Sequence, residues 1–105
     1  MHLTVEIACS ESPPPPSGAP IIVQVRDTSY QDVAAKIVAE ARAKVHGTGE
    51  TLATVTFDAP AENATIWAHV DVDRDGEVSK GDYITKRSFP AQAGGPLRVL
   101  VSRVA

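Results

Sequence analysis

The sequence predicts an all-β domain of about seven short strands, arranged as a sandwich or a barrel. Two observations support this fold class. Apolar and polar residues alternate along most of the chain, which is typical of strands with one buried face. Segments rich in proline and glycine separate the alternating runs and supply turns between strands. With 105 residues, the chain is long enough for one modest core, so we expect residues 1–105 to form a single domain.

The alternating runs define most of the predicted strands. In the first run, Leu3, Val5 and Ile7 lie on one side and the residues between them on the other. Proline removes backbone donors, so Ser10–Pro20 is predicted to be a stiff connection between strands, with a polyproline II ligand as the alternative. The strands predicted in this way are His2–Cys9, Ile21–Arg26, Glu50–Asp58, Ala64–Val70, Tyr83–Phe89 (ended by Pro90) and Leu97–Val104.

The segment Val33–Val45 fits both a helix and a strand. Its alanine, glutamate, lysine and arginine residues favour a helix, and apolar residues recur at every fourth position. Over most of the segment, however, apolar residues also alternate with charged ones, as they do in a strand. Periodicity alone leans towards the helix without deciding the matter.

Composition and charge exclude several classes of protein. The 13 acidic and 10 basic residues give a slightly acidic balance, which argues against nucleic acid as a partner. No apolar run approaches the roughly 20 residues that a membrane span needs. The single cysteine, Cys9, allows no internal disulfide and is predicted to be a buried apolar residue. The first residues do not resemble a secretory signal, so we expect a cytoplasmic protein, or one of the cell envelope or exterior if a leader was removed.

The segment Asp71–Asp82 (DVDRDGEVSKGD) resembles an EF-hand calcium loop, most closely the dockerin variant, which also tends to close with Asp. Gly76 occupies the sixth place, where the turn favours glycine, and Val78 at the eighth place is expected to point into the core. The twelfth residue is Asp instead of Glu, which leaves the choice between Ca²⁺ and Mg²⁺ open. The predicted metal ligands are Asp71, Asp73, Asp75, Glu77 (through its backbone carbonyl), Ser79 and Asp82.

The charge distribution favours a cation at this loop. The loop holds five of the 13 acidic residues and two of the 10 basic ones, so eight of each remain in the rest of the chain. The whole net charge of −3 therefore lies in twelve residues, and crowded carboxylates repel one another unless a cation offsets the repulsion. The alternative is a solvated acidic turn that binds no metal.

No catalytic site is predicted. The histidines His2, His46 and His69 lack zinc-ligand spacing. His69 is near Asp71 and could act as a general base, but no nucleophile accompanies it, so a surface or half-buried histidine is the preferred interpretation. Trp67 is predicted to lie in the core instead of forming a sugar platform. We therefore expect a non-enzymatic domain in which Ca²⁺ has a structural role.

Several short motifs lie in a characteristic order along the chain: Pro15–Pro16, Gly18–Ala19, Ile21–Val25, Arg26–Ser29, Asp32, Ala34, Ile37, Ala39–Glu40, Phe57, Ala64–Val70 and Ser88–Pro90. In these residues the chain resembles the bacterial envelope lipoproteins grouped with type III secretion lipoprotein chaperones, which are pilotin-like sandwiches. The resemblance implies a seven- to eight-stranded sandwich in which Lys36–Val45 is extended, and we expect an antiparallel β-sandwich of transthyretin- or immunoglobulin-like type, with a carbohydrate-module sandwich as the alternative. The resemblance implies no enzyme activity, and it suggests a second function: a chaperone-like or adaptor module of the cell envelope that binds a protein partner and whose loop is only an acidic turn.

Overall fold

A computed structural model describes residues 2–11, 13–27, 36–46, 50–58, 64–87, 89–90 and 96–104 of the chain. These residues form strands and connecting turns, and no helix among them is long and apolar enough to cross a membrane. The strands are β1 (His2–Ala8), β2 (Pro20–Asp27), β3 (Lys36–Lys44), β4 (Thr51–Asp58), β5 (Ala64–Val70), β6 (Tyr83–Ile84), β7 (Phe89–Pro90), β8 (Leu97–Leu100) and β9 (Ser102–Arg103).

Two sheets face each other across the core, which confirms the predicted β-sandwich. The smaller sheet has the strand order β4-β1-β8, and the larger has the order β3-β2-β5-β6-β9. β7 pairs with β5 next to β6, because β2 already occupies the whole opposite edge of β5. The pairs are antiparallel except for β1 with β8, which run parallel. The parallel pair is a departure from the predicted antiparallel arrangement.

The core is built from the inward rows of the alternating strands. β1 buries Leu3, Val5 and Ile7, as predicted, and Cys9 just beyond it is also buried. Because β2 pairs with β5 in register along its length, their inward residues form one apolar layer. The buried apolar residues of the core are Leu3, Val5, Ile7, Cys9, Ala19, Ile21, Val23, Val25, Val45, Leu52, Ala53, Val55, Phe57, Ala64, Ile66, Ala68, Val70, Tyr83, Val99 and Val101.

The ambiguous segment is a strand over Lys36–Lys44, as the family resemblance implied, while residues 33–35 lie outside the described residues. β3 pairs antiparallel with β2, and its row of Ala39, Ala41 and Ala43 packs against the core. Pairing and burial of one face therefore outweigh the helical propensity of an alanine-rich segment.

The proline-rich connection also fits its predicted role, since Pro15 is buried and the Tyr83 hydroxyl donates to the Pro13 carbonyl at 2.6 Å.

Two predicted strands are each divided in two. Tyr83–Phe89 is interrupted at Thr85. Thr85 donates its backbone N–H to the Ala68 carbonyl at 3.1 Å, but the Ala68 N–H donates to the Thr85 hydroxyl at 3.3 Å, so the side chain stands in for the carbonyl that would continue the ladder. Pro90, predicted to end this strand, belongs to β7, where an edge position tolerates its missing N–H.

The segment Leu97–Val104 is divided because it changes sheets. β8 belongs to the smaller sheet and β9 to the larger one. Val101 lies between them, is buried, and donates its N–H to the Ala8 carbonyl at 2.9 Å. The last strands therefore connect the two layers of the sandwich.

Candidate metal centre

The acidic loop begins where β5 ends and finishes where β6 begins. β5 and β6 are antiparallel neighbours, with His69 opposite Ile84 and Val70 opposite Tyr83. This pairing brings the first and last residues of the loop, Asp71 and Asp82, close together. Both carboxylates are almost fully buried, with 4% and 1% of their surface exposed.

The loop gathers four of the predicted ligand side chains. Asp71, Asp73, Asp75 and Asp82 each place one carboxylate oxygen within 4.8 Å of the others. Asp73 and Asp75 are exposed, whereas Asp71 and Asp82 form the buried base of the cluster. Oxygen atoms gathered at this spacing could hold a hard cation such as Ca²⁺.

Asp71 carries the most informative atom of the cluster. Its Oδ2 accepts a hydrogen bond from the backbone N–H of Gly76 at 2.8 Å. Its Oδ1 is buried, and no described residue donates a hydrogen bond to it. A buried carboxylate oxygen without a partner costs free energy, which a bound cation would offset.

Three residues of the loop adopt left-handed backbone conformations that tighten its turns. Gly76 has a φ of 79°, which confirms the predicted need for glycine at this place. Gly81 has a φ of 96°. Arg74 has a φ of 59°, an uncommon value for a residue with a Cβ atom, and its guanidinium donates to the Gly18 carbonyl at 3.2 Å.

Asp82 connects the loop to the sheet. Its Oδ2 lies 2.8 Å from His69 Nε2 and accepts from the Ser79 backbone N–H at 3.1 Å, while its Oδ1 accepts from the Val72 N–H at 2.9 Å. Because both of its oxygens already have hydrogen-bond partners, Asp82 has less to offer a cation than the Glu usual at this place, which binds with two oxygens. The shorter side chain therefore combines a structural role with a reduced ligand role.

His69 is fully buried, with 2% of its surface exposed, and so the interpretation as a surface or half-buried histidine was wrong. It lies on the face of the larger sheet that is turned away from the core, and the loop covers it there. Sequence reasoning noticed that His69 and Asp71 share a strand face, but it missed Asp82 as the partner. The signal was available, because Asp82 continues the same face of β6 beside Ile84, the residue opposite His69.

The remaining predicted ligands have different positions. The Ser79 hydroxyl donates to Asp73 Oδ2 at 2.7 Å, so it lies beside the cluster. The Glu77 side chain is exposed and outside the cluster, as expected for a residue assigned a backbone carbonyl; its N–H donates to Asp75 Oδ1 at 3.0 Å. Val78 is 45% exposed, so the expectation that it points into the core was wrong. From this loop, Val72 packs against the core instead. It comes two residues after the buried Val70 of β5 and so continues the inward row of that strand.

The carboxylates influence one another's ionisation. The hydrogen bond from the Ser79 hydroxyl favours the charged form of Asp73 and lowers its pKa from the usual 3.8. For Asp75, the Glu77 N–H also favours the charged form, but partial desolvation and the neighbouring carboxylates of Asp73 and Asp71 outweigh it and raise the pKa. Opposite shifts within one cluster are the expected result of crowding like charges.

A cleft of about 360 Å³ opens beside the loop. Its walls come from the beginning of β2, the end of β3 and the loop, and they include the side chains of Arg42, Asp71 and Arg74. Arg42 and Arg74 place positive charge at the same cleft as Asp71, which limits the net negative potential of this end of the sandwich.

The other residues that the sequence analysis singled out lie outside the acidic cluster. Cys9 is buried, and burial raises the pKa of its thiol, so it is not an activated nucleophile. Trp67 is half-buried on the outward face of the larger sheet, not in the core, and the Arg26 guanidinium lies 4.2 Å from its ring centroid. His46 is exposed, and the side chain of His2 lies outside the described residues.

Comparison with known proteins identifies the fold. Scans against models of protein families and against curated proteins find no match. Among solved structures, the chain is similar to an alternative pilotin from the type II secretion system of Vibrio cholerae, with a TM-score of 0.68. The chain has a pilotin-like fold. The match covers 99% of this chain and 98% of the pilotin at 19% sequence identity, and it confirms the pilotin-like resemblance at the level of the fold.

Proposed function

We propose that the chain is a non-enzymatic domain that binds one Ca²⁺ ion in the loop Asp71–Asp82, and that the ion has a structural role. The observation that carries this proposal is the buried, unpartnered Oδ1 of Asp71 within a cluster of acidic oxygens. The side chains of Asp71, Asp73, Asp75 and Asp82 would supply ligands, together with the Glu77 carbonyl and the Ser79 hydroxyl. An all-oxygen set in a loop of this kind suits Ca²⁺ better than Mg²⁺, which demands near-ideal octahedral geometry and keeps several of its waters.

The structural role follows from the position of the loop. The loop joins two adjacent strands of the larger sheet, so an ion that holds its ends together would stabilise the native state only. If the affinity were that of extracellular modules, roughly 10⁻⁴ M, then calcium at about 100 times the dissociation constant would stabilise folding by about 2.7 kcal/mol.

Calorimetric titration with Ca²⁺, paired with thermal melting, tests this proposal. We expect the unmodified chain to release or absorb heat saturably and to melt at a higher temperature in Ca²⁺ than in chelator. Asp73→Ala should abolish both effects because it removes a carboxylate of the cluster. Glu77→Ala removes the same charge from the same loop but leaves the backbone carbonyl, so it should retain binding.

Two outcomes would contradict the calcium proposal. One is an unchanged melting temperature in Ca²⁺ together with no heat of binding. The other is equal loss of binding in both variants, because then only the overall negative charge attracts the ion. A parallel titration with Mg²⁺ determines the selectivity.

The pilotin-like fold supports a second candidate function, that of a chaperone-like or adaptor module of the cell envelope. Supporting it is the similarity over nearly the full length of both chains to a pilotin of a type II secretion system. In this function the chain would bind a protein of a secretion system, and no catalytic residue would be needed. Deleting the gene in its native bacterium should then impair assembly of a secretion complex, measured as lost export of its substrates.

The two functions can be separated by one variant. If Asp73→Ala abolishes calcium binding and still restores export to the deletion strain, the loop is a structural element apart from the partner surface. Normal export in the deletion strain would argue against the adaptor function and leave the calcium proposal untouched.

A further inference from the structure

The strand β3 forms one edge of the larger sheet, and no described strand pairs with its outer side. Two of the three exposed large apolar residues among the described residues lie on it: Ile37 is 48% exposed and Val38 is 36% exposed. An unpaired strand edge offers a row of backbone donors and acceptors to any extended segment. β3 is therefore a candidate interaction surface.

The two ends of β3 differ in regularity. Val25 pairs with Ala39 and the next residue, Arg26, pairs with Ile37, so Val38 is an extra residue in a β-bulge. From Ala39 to Lys44 the strand is regular and antiparallel to β2. A bulge hinders pairing at the first end, so an added strand would align with the regular half.

The regular half alternates small and charged residues. The inward side chains of this half are Ala39, Ala41 and Ala43. They pack against the core but are only half-buried, so part of the apolar layer stays exposed at this edge. Glu40 and Arg42 are exposed between them, on the outward face. Charged residues on an edge usually prevent pairing, but these two have opposite signs and lie on either side of Ala41.

We propose that β3 pairs antiparallel with β3 of a second copy of this chain, with the two-fold axis passing at Ala41. In this register each Glu40 lies opposite Arg42 of the second copy, and Ala39 lies opposite Ala43. Oppositely charged residues directly across an antiparallel pair attract each other, and a two-fold axis forms the contact twice. The added strand also covers the incompletely buried alanine row.

Other registers on the same strand are electrostatically poorer. An axis at Glu40 places two glutamates opposite each other, and an axis at Arg42 does the same with two arginines. An axis at Ala43 places Arg42 opposite Lys44. In the regular half, only the register at Ala41 forms opposite-charge pairs without forming a like-charge pair. The charges of this edge are therefore complementary to those of a second copy of the chain.

Sedimentation equilibrium from micromolar to millimolar protein concentration tests the proposal. We expect a reversible dimer for the unmodified chain. Glu40→Arg and Arg42→Glu each replace two attractive pairs by two repulsive ones, and each should weaken association about tenfold or more. Mixing the two single variants should restore association as a heterodimer, because arginines on one copy then face glutamates on the other. The double variant E40R/R42E should also dimerise.

Controls separate the edge contact from misfolding. Glu40 accepts a hydrogen bond from Gln24 Nε2 at 3.1 Å and lies 3.5 Å from Arg42 of its own chain, so thermal melting should show that each variant is folded. Thr56→Arg places a charge at an exposed position of β4, the edge strand of the other sheet, and should leave the dimer intact. All measurements are made both in Ca²⁺ and in chelator, because the proposal does not depend on the loop binding a cation.

Several results would overturn the proposal. A monomer at every concentration excludes it. A dimer that persists in Glu40→Arg uses another surface, and two single variants that fail to associate on mixing do not have the proposed register. A folded monomer that instead binds an extended peptide along β3 would assign the edge to a different partner.

Discussion

Replacing Asp82 by alanine tests whether this residue joins the loop to the sheet independently of any cation. Asp82 is 1% exposed and accepts hydrogen bonds from His69 Nε2, the Val72 N–H and the Ser79 N–H. Alanine leaves these three donors without their acceptor at the junction of β5 and β6. The substitution therefore perturbs hydrogen bonding without changing the apolar core.

The expected magnitude follows from the number of donors. Each donor left unsatisfied costs about 1 kcal/mol or more, which gives about 3 kcal/mol for the three. Removing the charge also relieves its repulsion with the other carboxylates, chiefly with the buried Asp71, and this returns part of the loss. The net loss of about 2–3 kcal/mol corresponds to a fall of about 8 °C or more in the melting temperature of a domain of this size.

Urea denaturation in the presence of a chelator measures this loss without any contribution from calcium. Asp75→Ala is the matched control, because Asp75 is an exposed acid of the same loop, and its loss should leave the unfolding free energy nearly unchanged. A loss below about 1 kcal/mol for Asp82→Ala, or equal losses for the two variants, would refute the assignment of Asp82 as the structural acid.

Three further substitutions or conditions have defined outcomes. Ile7→Ala removes a side chain that is fully buried in β1 and should cost about 2–5 kcal/mol in urea denaturation with an unchanged m-value; a smaller loss would mean that the core is looser than described. Gly76→Ala meets no atom within 4 Å but keeps a φ of 79°, so it should cost about 1 kcal/mol from backbone strain alone, a result that thermal melting in chelator can check. Burial raises the pKa values of Cys9 and Tyr83, so their stabilising contribution is present below the unfolded values near 9.0 and 10.0 and is lost as pH rises through the folded ones. Stability should therefore fall above about pH 9, and Cys9→Ala should reduce that slope; an equal slope in both proteins would contradict this assignment.

The sequence allowed prediction of those strands whose residues report directly on burial. β1, β2, β4 and β5 each present one row to the core, so alternation located them to within a residue or two. β3 was ambiguous because alanine fits a helix and a half-buried edge equally well. Its state depends on pairing with β2, which local pattern does not contain.

The breaks in the last strands depend on tertiary structure. The ladder of β6 stops at Thr85, whose hydroxyl accepts the Ala68 N–H, and Val101 lies where the chain changes sheets. Both residues are β-branched and fit an uninterrupted strand on local grounds. Where the strands break is decided by which strand lies beside them, and the parallel pairing of β1 with β8 has the same origin.

The candidate site was predictable in its spacing and not in its packing. The positions of the four clustered aspartates and of Gly76 follow from the pattern of the loop. The burial of His69 and the exposure of Val78 do not, because both depend on how the loop lies over the larger sheet. The EF-hand pattern describes ligand order, and here it is carried by a turn between strands instead of between helices.

The parallel pairing of β1 with β8 has a consequence for biosynthesis. Val5 lies beside Leu97 and Ile7 beside Val99, so β1 finds this neighbour only once the ribosome has made β8. A nascent chain made as far as residue 90 lacks the strand that pairs with that side of β1, and its smaller sheet consists of β1 and β4 alone. Contacts this distant along the chain slow folding, and the smaller sheet is completed only after β8 has emerged.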